Sequence, residues 1–108
     1  MAQFDVHVAP GRNRGAVPYV VIVQSRYFDQ LTTRVVIPLM SSRTLPTSEG
    51  LTLTPAFTIQ GKRVHLNPLE MQTVPRSVLG KRVATLADDN SSGRIIAAID
   101  EMITRAYG

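Results

Sequence analysis

The residues able to do chemistry in this chain are few. Histidine occurs twice, at His7 and His65; cysteine and tryptophan do not occur. Without cysteine there can be no thiolate nucleophile, no disulfide and no Cys zinc site. Each histidine stands alone in a β-like run, whereas a metal site needs three or four clustered ligands. Strand alternation places His7 on the solvent side, opposite Phe4, Val6 and Val8, so it reads as a structural residue. Gly61-Lys62 is not a phosphate loop. No glycine stands five residues earlier, and Arg63 occupies the place of the Ser or Thr that would hold magnesium. No Gly-x-Ser-x-Gly elbow occurs. No cofactor is therefore expected. A metal-free ribonuclease would need a base, an acid and an arginine against phosphoryl charge. Those residue types are present, but their convergence cannot be read from spacing. Arg26-Tyr27-Phe28 is the single place where cation and aromatics adjoin. Single-strand platforms use several aromatics, so direct sequence-specific nucleic-acid binding is not expected.

The elements that must position these residues are mostly strands. Phe4, Val6 and Val8 alternate with polar residues and read as a half-buried strand. A loop follows through Pro10–Gly15. Tyr19–Gln24 is β-branched and continuous, which predicts a strand buried on both faces. Thr33–Met40 is another strand, and Pro38 within it predicts an edge position or a bulge. Ser41–Gly50 reads as a long loop and Leu51–Thr54 as a short strand. Phe57–Ile59 and Val64–Leu66 flank Gln60-Gly61-Lys62-Arg63 and predict a hairpin. Met71–Val74 is a candidate last strand. Ser77–Leu86 is ambiguous, because Val78, Leu79, Val83 and Leu86 have helix-like spacing while Gly80 opposes a helix. Asp88-Asp89-Asn90-Ser91-Ser92 is a cluster of N-cap candidates with carboxylates where a helix dipole favours them. Beyond it, Ile95, Ile96, Ala98, Ile99, Met102, Ile103 and Ala106 fall within an arc of about 160° on a helical wheel. The pattern predicts an α+β domain or small β-barrel capped by a C-terminal amphipathic helix.

At 108 residues and 11.9 kDa the chain is one domain, 1–108. Its 44% hydrophobic and 19% charged residues are ordinary for a globular protein. The longest strongly apolar run, Tyr19–Val23, is far short of the ~20 residues of a membrane span. The N-terminus shows no signal-peptide pattern, which makes the cytoplasm the expected compartment. Charge is uneven. Residues 1–82 carry ten cations against Asp5, Asp29, Glu49 and Glu70, a net of +6, while residues 83–108 carry a net of −2. A basic body suits an anionic partner.

An ordered set of residues resembles a known family. Gln3-Phe4, Gln24-Ser25 followed by Asp29, Val36-Ile37-Pro38-Leu39, Leu45, Val74-Pro75-Arg76-Ser77-Val78-Leu79-Gly80, Val83-Ala84-Thr85-Leu86 and the final Ile-rich helix together resemble the CcdB toxins of toxin–antitoxin modules. The resemblance covers essentially the whole chain. It implies a partly open, SH3-like antiparallel β-barrel with a C-terminal helix, and a homodimer with the helix ends near one another. It also implies a non-enzymatic poison that binds the DNA gyrase A subunit and traps the cleaved gyrase–DNA complex. Neutralisation would come from an acidic, intrinsically disordered antitoxin.

The residues implied for the gyrase contact are Tyr27, Phe28, Asp100, Ile103, Thr104, Tyr107 and Gly108. Tyr27 and Phe28 stand for the family's paired isoleucines, Asp100 for its asparagine, and Ile103 for the aromatic before its terminal Trp-Gly-Ile. That tripeptide falls on Thr104, Arg105 and Ala106 without a gap. With a two-residue insertion, Tyr107-Gly108 instead matches Trp-Gly. Two other readings stand beside this one: an mRNA-cleaving ribonuclease toxin on a similar barrel, and a diverged non-toxic homologue that still binds antitoxin.

Overall fold

Seven short antiparallel strands and one helix make up the computed structural model, which describes residues 1–11, 15–41 and 53–104. The strands are β1 (Asp5–Val8), β2 (Tyr19–Ile22), β3 (Thr33–Ser41), β4 (Ala56–Ile59), β5 (Lys62–Leu66), β6 (Gln72–Pro75) and β7 (Arg82–Thr85), followed by α1 (Asp89–Thr104). The sheet runs β4-β5-β3-β2-β1-β7, with β6 also on β3. It curls into a partly open small barrel with α1 against it, as the α+β expectation required.

Long β3 is the centre of this arrangement. It pairs β2 along Val36–Leu39, β6 along Thr33–Val36 and β5 along Leu39–Ser41. Because side chains alternate, β2 and β3 feed two cores. Val21, Ile37 and Leu39 join the main core with Val6, Phe57, Ile59, Val64, Leu66, Leu86, Ile95 and Ala98. Val20, Ile22 and Val36 face the other way, into a smaller cluster with Ala9 and Leu79. The both-faces-buried expectation for Tyr19–Gln24 therefore holds, although the strand stops at Ile22.

Pro38 lies within this central strand, not at an edge. In a strand, a residue's N and O point to the same side, and Pro38 O accepts from Asn67 N at 3.1 Å. The missing N–H therefore points to the side where β6 has ended and β5 begins, so no ladder bond is lost.

The β4–β5 hairpin forms as predicted, with a tighter turn. Gln60 and Gly61 both hold positive φ, 50° and 78°, the combination of a type I′ two-residue hairpin turn. Leu53 and Thr54 form a turn instead of a strand; Leu51, Thr52 and most of the predicted long loop lie outside the described residues. Ser77–Leu86 is neither a helix nor one element. A 3-10 turn at Arg76–Val78 precedes β7, so β6 is not the last strand. The helix-like spacing misled because Leu79 and Leu86 enter different cores.

His7 is likewise not solvent-facing. It is 4% exposed, and its Nδ1 lies 2.8 Å from Gly80 O. Both faces of β1 are covered, one by the main core and the other by the segment leading into β7.

The helix begins where the cap cluster placed it. Asp88 Oδ2 accepts the Ser91 N–H at 2.9 Å, and Ser92 N bonds Asp88 O at 2.9 Å. The Ser91 backbone N–H, and then its hydroxyl, hold the Asp88 carboxyl below its ordinary pKa. Ile95 and Ala98 are buried, and Ile99 packs beside them. Arg94 fastens the helix to β4: it donates to Ala56 O at 2.8 Å and lies 4.6 Å over the Phe57 ring.

Candidate functional site

The predicted site residues that fall among the described ones, Tyr27, Phe28, Asp100, Ile103 and Thr104, occupy two exposed places. Tyr27 and Phe28 sit on a 3-10 turn, Arg26–Phe28, between β2 and β3. Ser25 starts this turn by accepting the Tyr27 N–H on Oγ at 3.2 Å, while Phe28 N bonds Ser25 O at 3.0 Å. Tyr27 is 77% exposed and Phe28 47%, with their rings edge to face at 5.2 Å. Leu31, also 47% exposed, follows on the same loop. A loop that exposes three large apolar side chains has the composition of a contact surface, not of a core.

The second place is the outer side of α1. Asp100, Ile103 and Thr104 are all exposed, and the Thr104 hydroxyl donates to Asp100 O at 2.8 Å. Ile96, which the hydrophobic arc assigned to the core, is 55% exposed, and Ile103 is 58% exposed. The wheel contains the reason. Ile95, Ala98, Ile99 and Met102 span about 100° of arc, the width a docked helix covers, while Ile96 and Ile103 lie at one margin. Ile96, Asp100 and Ile103 therefore form one outward stripe. Sequence reasoning missed Ile96, although its place at the margin was the available signal. Tyr107 and Gly108 lie outside the described residues. No hydrogen bond, ion pair or ring contact among the described residues joins the loop to the helix stripe.

Nothing comparable assembles around the titratable groups. Two clefts formed by described residues have volumes of about 240 and 190 Å3. The first includes Ala9, Val17, Val20 and Glu70 in its walls, and the second lies along Arg82–Thr85. Neither includes a histidine. The His65 pKa is lowered, first by burial and then by the charge of Arg63 two residues away. Asp5, 6% exposed, accepts the Ala2 N–H at 3.0 Å and lies 3.8 Å from Arg82. Among the described residues there is no group of three or more His, Cys, Asp or Glu that could hold a metal ion. No described helix is long and apolar enough to cross a membrane.

The Tyr27–Phe28–Leu31 loop and the Ile96–Ile103 stripe thus present exposed apolar side chains on a small curled barrel, and the comparison with protein families fits that picture. The family model described as CcdB protein matches residues 3–105. The chain belongs to the CcdB family. Membership makes it a toxin component of the toxin–antitoxin type, and the match runs from the residue before Phe4 through the whole of α1. The CcdB match includes Tyr27, Phe28, Asp100, Ile103 and Thr104, and it ends before Tyr107. No individually curated protein matches the chain.

Proposed function

We propose that this chain is the toxin of a type II module: a cytoplasmic, non-enzymatic homodimer that binds the DNA gyrase A subunit and traps the cleaved gyrase–DNA complex. The observation that carries this reading is the family match over residues 3–105, joined to the exposure of Tyr27, Phe28, Asp100, Ile103 and Thr104. Tyr27 and Phe28 form one half of the target contact, and Asp100, Ile103 and Thr104 the other, with Ile96 beside them. Tyr107-Gly108 takes the place of the family's terminal Trp-Gly. An aromatic anchor suits the role, because buried aromatics dominate interface hot spots.

The antitoxin partner is an acidic, intrinsically disordered segment that folds on binding. The net +6 of residues 1–82 supports an anionic partner of this kind. The action requires no chemistry by the toxin itself; binding energy holds the gyrase–DNA intermediate in place.

The test is direct binding to the purified breakage-reunion fragment of the gyrase A subunit by calorimetry. The expected result is saturable binding, weakened at least ~10-fold by Tyr27→Ala with Phe28→Ala and by Ile103→Ala. Absence of binding at tens of micromolar, with the protein folded, overturns the gyrase reading.

A further inference from the structure

Arg34 is a buried cation held, among the described residues, by backbone carbonyls and by no carboxylate. It lies on β3 and is 3% exposed. Its guanidinium donates to Leu31 O at 2.7 Å and Thr33 O at 2.8 Å through one nitrogen, and to Asp29 O at 2.8 Å through the other. Among the described residues its Nε has no hydrogen-bond partner, and neither does Asp29 Oδ1. Removing a charge from water is costly unless other groups compensate it. Here the compensation comes from three carbonyls that all belong to residues 29–33.

Gln24 also holds the same loop. Its Nε2 donates to Phe28 O at 3.1 Å, and its Oε1 accepts the Val35 N–H at 3.1 Å. Backbone bonds from Asp29 N to Arg26 O and from Leu31 N to Phe28 O, both 3.1 Å, complete the loop. The result is an exposed Tyr27–Phe28–Leu31 edge whose backbone is fixed from within. A planar guanidinium spreads its donors over separate nitrogens, a geometry that a lysine ammonium, with all three donors on one atom, does not reproduce.

We infer that Arg34, assisted by Gln24, is a positioning residue: it holds the Tyr27–Phe28–Leu31 edge in its binding conformation without touching the target. The gain is preorganisation. A loop already ordered does not lose conformational freedom when the partner arrives. The inference rests on reading this loop as part of the gyrase contact.

The test compares Arg34→Lys and Gln24→Ala with the wild type in two measurements. One is amide hydrogen exchange of residues 26–31; the other is affinity for the gyrase A fragment. Both are repeated in a Tyr27→Ala/Phe28→Ala background. The expected result is faster exchange confined to the loop, roughly 10-fold weaker binding with the aromatics present, and no further loss without them. Unchanged loop exchange overturns the inference. So does an equal loss in both backgrounds, which marks general destabilisation. If Tyr27→Ala/Phe28→Ala itself binds like the wild type, the loop is not the contact and the inference falls. The gyrase reading itself fails only if the wild type does not bind. Gln24 is half-buried, so its variant keeps the test decisive if Arg34→Lys does not fold.

Discussion

Replacing Gly80 by alanine puts a methyl group where the fold has no room. A Cβ there would lie 2.6 Å from Val8 Cβ and 3.0 Å from Val8 O. Ordinary carbon contacts are about 3.5–4.0 Å, so β1 and the segment before β7 must separate by about 1 Å. Three bonds oppose that movement: Gly80 N to Val8 O at 3.0 Å, Val8 N to Lys81 O at 3.0 Å, and His7 Nδ1 with Gly80 O at 2.8 Å. Overpacking of this kind costs about 1–3 kcal/mol, and weakening one of the bonds adds about 1 kcal/mol. At roughly 5 °C per kcal/mol for a chain of this size, the total corresponds to a Tm lower by about 10–20 °C. Gly93→Ala is the matched control. Gly93 lies within α1 with nothing within 4 Å of the added Cβ, so helix propensity alone acts. That substitution stabilises by about 0.5–1 kcal/mol. Thermal unfolding and urea titration of both variants measure the two signs. Equal Tm shifts, or a Gly80→Ala protein within about 2 °C of wild type, would refute the steric argument.

Three further outcomes are expected. Asp88→Ala lowers Tm near neutrality by removing the α1 cap, whereas Asp88→Asn keeps an acceptor for the Ser91 N–H. Because the folded pKa of Asp88 lies below its ordinary 3.8, its carboxylate stabilises the fold above that value, and the contribution is lost as pH falls through the folded pKa. Acid titration of stability is correspondingly flatter in Asp88→Asn. Deleting Tyr107-Gly108 costs at least ~2 kcal/mol of target binding and leaves Tm nearly unchanged, since α1 is anchored upstream by Ile95 and Ala98; equal toxicity of truncated and full-length protein contradicts the anchor assignment. Light scattering at micromolar concentration gives a dimer mass, and a monomer mass contradicts the two-fold assembly.

How far the sequence revealed this molecule depended on whether a local pattern had one structural solution. The continuous β-branched run from Tyr19 to Gln24 reads as a strand covered on both sides, and β2 is one. Two β runs around Gln60–Arg63 read as a hairpin, and the cap cluster Asp88–Ser92 before an apolar 3.6-residue period reads as a helix start. Misreadings arose where tertiary context chose. Val78, Leu79, Val83 and Leu86 share a helical period, yet Leu79 and Leu86 serve different cores. Pro38 reads as an edge residue until β6 and β5 are seen to exchange partners beside it. His7 alternates like a solvent-facing residue, but a later segment of chain covers it. For the site, exposure of Tyr27 and Phe28 followed from the resemblance, not from local pattern. Ile96 was hidden by a hydrophobic arc wider than the face α1 buries. The Arg34 network could not be read at all, because its three acceptors are backbone carbonyls.

The central claim is that the chain poisons gyrase by contact, and plasmid linearisation by purified gyrase tests it most directly. Supercoiled plasmid, gyrase and ATP are incubated with and without the protein, and cleaved complexes are released by detergent and protease. The account predicts linear DNA that accumulates with toxin dose and disappears when Tyr27→Ala/Phe28→Ala replaces the wild type. Unchanged supercoiling with no linear product, at concentrations where the folded wild-type protein is in excess over gyrase, would contradict it.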